Sequence, residues 1–176
     1  EFSGLDVLVC ANLPYYITSP VIMKLLEEKL PVESLTVMVQ KEAAVRICAA
    51  PGTRACGAVS VAVQYYSQPQ ILFDVPRDCF FPAPNVDSAV IRLNIRKEPP
   101  VKLETEEKQF FKLVKAAFGQ RRKTVLNSLS TGLGKPKEEL SAALQQAGIA
   151  PTARAEQLTM EQFGTLCNLL FPNKAQ

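Results

Sequence analysis

Histidine is absent from the 176 residues, and that gap removes the commonest general base, the commonest metal ligand and every nucleophile that relies on an imidazole partner. Cysteine is scarce and its pattern is unhelpful to a scaffold. The five, at positions 10, 48, 56, 79 and 167, are odd in number and contain no C-x-x-C spacing, which argues against a disulfide framework and a structural zinc site. Reduced thiols and no bound metal are expected. No apolar run approaches the ~20 residues a membrane-spanning helix needs, so no membrane role is implied. Glu1-Phe2-Ser3-Gly4-Leu5-Asp6 has neither a basic region nor a long apolar stretch; no signal or transit peptide is expected, and a cytoplasmic setting is. The last deficit is local. Between Lys108 and Lys137 there is no Asp or Glu, although eight Lys and Arg residues occur there, at 108, 112, 115, 121, 122, 123, 135 and 137. In a chain whose net charge is only +3, such asymmetry points to a polyanionic partner for one region.

What is present is enough for an ordinary globular core, with 47% hydrophobic and 21% charged residues. Asp6-Val-Leu-Val-Cys10 suits a buried strand, and it runs into the polar, proline-fixed loop Ala11-Asn12-Leu13-Pro14-Tyr15-Tyr16. Ser19 followed by Pro20 reads as an N-cap and first helical residue, with Val21, Ile22, Leu25 and Leu26 as the apolar stripe. Leu35 to Val39 repeats the buried-strand signature, and Lys41 to Ala50 reads as a helix closed by Pro51-Gly52. This alternation predicts a parallel α/β sheet covered on both faces. A further helix is predicted over Gly57–Tyr66 and a strand over Gln70–Val75. Ala89, Ile91, Leu93 and Ile95 alternate with polar residues, which predicts a half-buried antiparallel strand near an edge. Lys97-Glu-Pro-Pro-Val101 makes a domain boundary, giving domains 1–98 and 99–176. Beyond it, helices are predicted at about 105–118, 121–131, 137–147 and 160–171, the last opened by the capping box Thr159-Met-Glu-Gln162.

Asn12-Leu13-Pro14-Tyr15 stands where α/β sheets bind ligands, at the carboxyl end of a strand. The exocyclic amine of adenine is a poor nucleophile because its lone pair is delocalised into the ring. An Asn12 side-chain oxygen and a Leu13 carbonyl can each accept one amine hydrogen, leaving the lone pair aimed at an incoming methyl group. Pro14 restricts Leu13 to extended conformations, and Tyr15 offers a ring on which a base can stack. The four residues alone are more readily a turn after a strand. A second loop, Cys79-Phe80-Phe81-Pro82-Ala83-Pro84-Asn85-Val86-Asp87-Ser88, adjoins another strand. Phe80 could supply the other face of an aromatic clamp, while Phe81 is as readily an aromatic plug in the core.

Asn12-Leu-Pro-Tyr-Tyr-Ile-Thr18, Gln40-Lys-Glu42, Phe80-x-Pro82-x-Pro84-x-Val86-x-Ser88 and Gln120-Arg-Arg-Lys-Thr124 occur in the order seen in the small-subunit ribosomal RNA adenine-N6,N6-dimethyltransferases, which the chain resembles over essentially its whole length. The resemblance implies the second half of a Rossmann-like class I methyltransferase sheet followed by a small all-helical C-terminal domain. It implies S-adenosylmethionine as cofactor and the 16S RNA of the small ribosomal subunit as partner, for a monomeric enzyme without metal. Asn12, Leu13, Pro14 and Tyr15 become the adenine-amine motif, with Asn12 also touching the cofactor, and Phe80 packs on the target base. Two departures stand out. Ala55-Cys56-Gly57-Ala58 replaces an aromatic before the glycine and a basic residue after it. More seriously, the glycine-rich turn and acidic ribose anchor that hold most of the cofactor do not precede Asp6, so these residues by themselves are expected to be inactive. Gly132-Leu-Gly134 follows a helix and reads as its end.

Lys108, Lys112 and Lys115 share one predicted helical face, with Phe110, Leu113, Val114 and Ala117 on the other. Arg121, Arg122 and Lys123 at a helix N-terminus would each oppose the helix dipole by roughly 0.3–1 kcal/mol. A locally unfavourable cluster of that kind points to a bound phosphate backbone, so all six are candidate RNA-binding residues. Leu140, Ala143, Leu144, Phe163, Leu166, Leu169 and Leu170 read as core. Two alternatives stay open: the related methyltransferases of large-subunit RNA, against which Leu13 and Tyr16-Ile17-Thr18 argue, and a non-catalytic RNA-binding module.

Overall fold

The computed structural model describes residues 6–172. The chain forms two compact units: residues up to Ala49 with Ala62–Glu98, and Ala50–Val61 with the residues from Pro99 onward. The first is mixed α/β. Its four strands are β1 (Val7–Asn12), β2 (Val32–Gln40), β3 (Ser67–Val75) and β4 (Ser88–Ile95), in the order β1-β2-β4-β3. β1 and β2 are parallel, and β4 is antiparallel to both β2 and β3. Helix α1 (Thr18–Glu27) makes the crossover between the parallel pair, as parallel strands require. Helix α2 (Lys41–Ile47) follows β2, and α3 (Ala58–Tyr66) leads into β3.

The period-two pattern of strands decides what this sheet buries. Leu35, Val37 and Val39 of β2 are fully buried beside Ala89, Ile91 and Leu93 of β4, with Ile22 and Leu26 of α1 and Ala44 and Ile47 of α2 also in the core. The last strand is therefore antiparallel as predicted, and it lies one strand in from the edge, between β2 and β3. The edge belongs to β3, which carries Pro69, a residue with no N–H to give a second neighbour. β3 begins three residues before the predicted Gln70, and it bulges where the register slips between Ile71 and Phe73. β1 also departs from expectation. It was predicted to be buried on both faces, yet Leu8, Cys10 and Asn12 are exposed along one of them. An end strand with one neighbour in the described sheet has less to cover it.

Helix α1 starts two residues earlier than Ser19 would dictate as a cap. Ile17 is its N-cap, and the Thr18 hydroxyl donates to the Pro14 carbonyl at 3.2 Å. Pro20 then lies within the first turn, where no intrahelical N–H bond is lost.

In the second unit every element described is helical: α4 (Glu107–Ala117), α5 (Val125–Leu133), α6 (Lys137–Gln146) and α7 (Met160–Leu170), with a short 3-10 turn at Ala155–Gln157. Phe110, Leu113, Leu129, Leu140, Leu144, Phe163 and Leu166 are buried almost completely. Leu169, read as core, is partly exposed. Both bonds of the Thr159–Gln162 capping box form, at 3.0 and 3.2 Å. Gly134 takes a left-handed conformation (φ 66°) and ends α5, as a glycine there should.

Candidate functional site

The first loop grows directly out of β1. Asn12 is the last residue of the strand, Pro14 turns the chain, and Tyr15–Ile17 forms a single 3-10 turn whose Ile17 N–H donates to the Pro14 carbonyl at 3.1 Å. The Pro14 carbonyl thus accepts from both Ile17 and Thr18. Two local bonds hold the loop in one shape beneath the exposed Asn12 side chain. That side chain makes no hydrogen bond with another described residue, so its amide oxygen is available as an acceptor.

The second loop, between β3 and β4, is braced from outside. Asp87 accepts the Arg77 N–H on its carboxylate at 3.0 Å, and its carbonyl accepts the Lys41 N–H at 3.0 Å. The Arg77 guanidinium reaches the Asn85 carbonyl at 3.4 Å. Lys41 also pairs through its amine with Asp74 at 2.6 Å, near the end of β3. The Asp74 hydrogen bond and charge raise the Lys41 amine above its ordinary 10.5, so the amine stays charged in neutral solution.

The two loops meet. Asn12, Leu13, Pro14 and Tyr15 from the first, with Phe80, Pro82 and Pro84 from the second, line one cavity of about 360 Å³. All five residues predicted for the chemistry lie around it. The Tyr15 hydroxyl is 2.7 Å from the Ser88 hydroxyl, which is completely buried at the start of β4. That contact ties the first loop to the strand that ends the second. Nothing in the residue pattern assigned Ser88 a role, since serine gives no signal until its partner is known. The cavity has an apolar, aromatic and proline-rich wall with a few polar acceptors, a composition suited to a flat heterocycle carrying an amine. Phe81 is not a core plug: it is fully exposed beside Phe80, and Tyr16 is exposed next to Tyr15.

The six predicted basic residues all lie in the helical unit. Lys108, Lys112 and Lys115 are exposed on α4, whose opposite face buries Phe110, Leu113, Val114 and Ala117. Arg121, Arg122 and Lys123 are exposed but precede the helix predicted over them. Helix α5 begins at Val125 because Thr124 caps it, accepting the Asn127 N–H at 3.4 Å, so the three cations occupy the preceding turn. Among the described residues no ion pair engages any of the six, and no cluster of His, Cys, Asp or Glu could hold a metal ion. Among the described residues no helix is long and apolar enough to cross a membrane.

Comparison with known proteins converges on one group. The sequence is 52% identical over 174 residues to the ribosomal RNA small subunit methyltransferase A of Geobacillus sp. (strain WCH70), covering 97% of this chain and 60% of that protein. It is 55% identical over 171 residues to the protein of the same name from Alkaliphilus oremlandii (strain OhILAs), covering 59% of it. The chain thus spans about 60% of the length of these curated relatives. Among solved structures, a dimethyladenosine transferase from Plasmodium falciparum matches with a TM-score of 0.73 at 25% identity, over 94% of this chain and 66% of that one. The 23S rRNA methyltransferase ErmE matches with a TM-score of 0.64, also at 25% identity, over 97% of this chain and 69% of that one. The sequence model of the ribosomal RNA adenine dimethylase family matches residues 4–171, and the chain belongs to that family.

Proposed function

We propose that these residues belong to an enzyme that methylates the exocyclic amine of adenines in small-subunit ribosomal RNA twice, using S-adenosylmethionine. The observation that carries this reading is the convergence of Asn12-Leu13-Pro14-Tyr15 and Phe80 on one cavity. In it, Tyr15 and Phe80 sandwich a base that has left its stack. The Asn12 amide oxygen accepts one amine hydrogen and the Leu13 carbonyl the other, which draws the nitrogen toward tetrahedral geometry and directs its lone pair outward. Seven residues line the cavity and none is a carboxylate or an amine, so the proton released from nitrogen passes to water.

S-adenosylmethionine, when bound, supplies an electrophilic methyl group on a positively charged sulfur. Asn12 fits such a group, since its exposed amide stands at the carboxyl end of β1. The glycine-rich turn that would receive the rest of the molecule is not among these 176 residues. We assign that turn to the remaining length of the relatives, joined along the uncovered side of β1, with residues 1–98 completing a Rossmann-like domain. Residues 99–176 then serve as the RNA-binding domain, where Lys108, Lys112, Lys115, Arg121, Arg122 and Lys123 meet the phosphate backbone. Identity above 50% to small-subunit enzymes, against 25% to ErmE, favours the small subunit as substrate.

Methyl incorporation by the longer polypeptide into purified small and large subunits tests this reading, and label in the large subunit alone would overturn the choice. Asn12→Ala should lower turnover by roughly 10²-fold or more, as loss of a positioning contact does; undiminished methylation would remove Asn12 from the chemistry. Titration calorimetry of the 176 residues with S-adenosylmethionine should show no micromolar binding.

A further inference from the structure

The helical unit holds a second cavity, of about 320 Å³, between α4 and α5. Lys112, Lys115, Gln120, Ser128, Thr131 and Gly132 are among the residues that line it. Its floor exists because the two helices come unusually close: a Cβ on Gly132 would lie 2.7 Å from the Cβ of Ala116. Two small residues facing one another bring the backbones together, and the longer side chains around them form the walls.

Charge and hydrogen bonding divide those walls. Lys112 and Lys115 are exposed and have no carboxylate partner among the described residues. Two unneutralised ammonium groups at one small cavity attract an anion, and the absence of Asp and Glu from Lys108 to Lys137 leaves nothing local to compete. The polar remainder offers something else. The Ser128 hydroxyl donates to the Gln120 carbonyl at 3.3 Å and the Thr131 hydroxyl to the Asn127 carbonyl at 3.1 Å, so each oxygen keeps lone pairs with which to accept. The Gln120 side-chain amide makes no hydrogen bond with another described residue and can both donate and accept. The volume is at the lower end of the roughly 300–1,000 Å³ typical of small-molecule sites. A group that carries both an anion and hydroxyls matches this set of lining residues.

We propose that the α4–α5 cleft seats one ribose-phosphate unit of an RNA strand, with Lys112 and Lys115 on the phosphate and Gln120 and Thr131 on the ribose. The proposal rests on the RNA-binding reading and extends it from a diffuse basic stripe to a built subsite that tells RNA from DNA. Deoxyribose lacks the 2′-hydroxyl that Thr131 would accept from and Gln120 would bond. Each missing neutral hydrogen bond is worth about 0.5–1.5 kcal/mol, which converts to roughly 2–10-fold in affinity.

The test is fluorescence anisotropy of the 176-residue chain with a fluorescein-labelled single strand of about ten nucleotides, as RNA and as DNA of the same sequence, across a salt series. With both bonds lost in DNA, RNA should bind roughly 5–100-fold more tightly. Gln120→Ala and Thr131→Val should each reduce that preference and together abolish it, while leaving the salt slope unchanged. Lys112→Ala and Lys115→Ala should weaken both strands and flatten the slope by about 0.7 each. If the glutamine and threonine variants keep the wild-type RNA-to-DNA ratio, or the wild type shows no preference, the cleft is not a ribose seat although RNA binding survives. Salt-independent or absent binding of both strands overturns the RNA-binding reading and the cleft with it.

Discussion

Tyr15 combines a ring that lines the cavity with a hydroxyl that reaches the buried Ser88, and two substitutions separate those roles. Tyr15→Phe keeps the ring face and loses the tether, leaving the Ser88 hydroxyl without its partner in a fully buried position. It should cost about 1–3 kcal/mol of stability, read by denaturant unfolding, while most methylation by the longer polypeptide is retained. Tyr15→Ala removes the stacking face as well and should lower kcat/KM much further; equal losses in the two variants would deny the ring any part. The cysteines differ in a similarly local way. Burial pushes the thiols of Cys48, Cys56 and Cys167 up to about 11 from 9.0. Because their folded values are raised, the stability they contribute is fully present below pH 9 and is lost as pH climbs toward 11. Unfolding midpoints measured across that interval should fall with rising pH, and substitution of all three by alanine should flatten the fall. A thiol's burial is not visible in a sequence without repeats or paired spacings, so nothing beyond their reduced state could be read there.

At the scale of elements, Gly132 shows how a single hydrogen atom sets a helix crossing. Alanine at 132 would improve helix propensity by about 1 kcal/mol, yet its methyl would stand 2.7 Å from the Ala116 Cβ. Overpacking of this kind costs about 1–3 kcal/mol, so Gly132→Ala should be destabilising by about 1 kcal/mol net. Adding Ala116→Gly should relieve the clash and recover most of the packing loss; additive destabilisation in the double variant would mean that the crossing is not set by this contact. The same scale explains which features of the fold were legible beforehand. The capping box of α7, the amphipathic α4 and the alternation in β4 are local patterns, and they translated directly into structure. Strand order is not local: the alternation in β4 implies a strand near an edge, but it does not say which strand lies outside it. Pro69 was the available cue: a proline inside a strand marks an edge, and accepting β3 from Ser67 would have put β3 outside β4. The early start assigned to α5 has a similar origin, since Thr124 is a strong N-cap and a run of three cations before it is poor first-turn sequence. The two loops were found by motif, but their meeting at one cavity, and the Ser88 bond that secures it, depend on tertiary geometry alone.

For the whole molecule, the informative surface is β1. It pairs only with β2 in the described sheet, and Leu8 on its open face is 70% exposed, with Cys10 exposed two residues along. Fully burying a leucine is worth about 1.5–3 kcal/mol, and an open strand edge readily recruits another strand. The chain covers about 60% of its curated relatives, so the proposed join at β1 places the remaining length of such proteins over this face and beside this edge. Cys10 reports on that arrangement, because its thiol lies between Leu8 and Asn12 on the side that would be covered. In the 176-residue chain, a brief maleimide pulse at neutral pH should label Cys10 and Cys79, the two exposed cysteines, before Cys48, Cys56 and Cys167. In the longer polypeptide, Cys79 should label as before and Cys10 should be protected, which peptide mass analysis resolves residue by residue. Undiminished labelling of Cys10 in the longer polypeptide would place the additional sequence elsewhere. Protection of Cys10 in the shorter chain that disappears on dilution would instead identify a second copy of this chain as the cover.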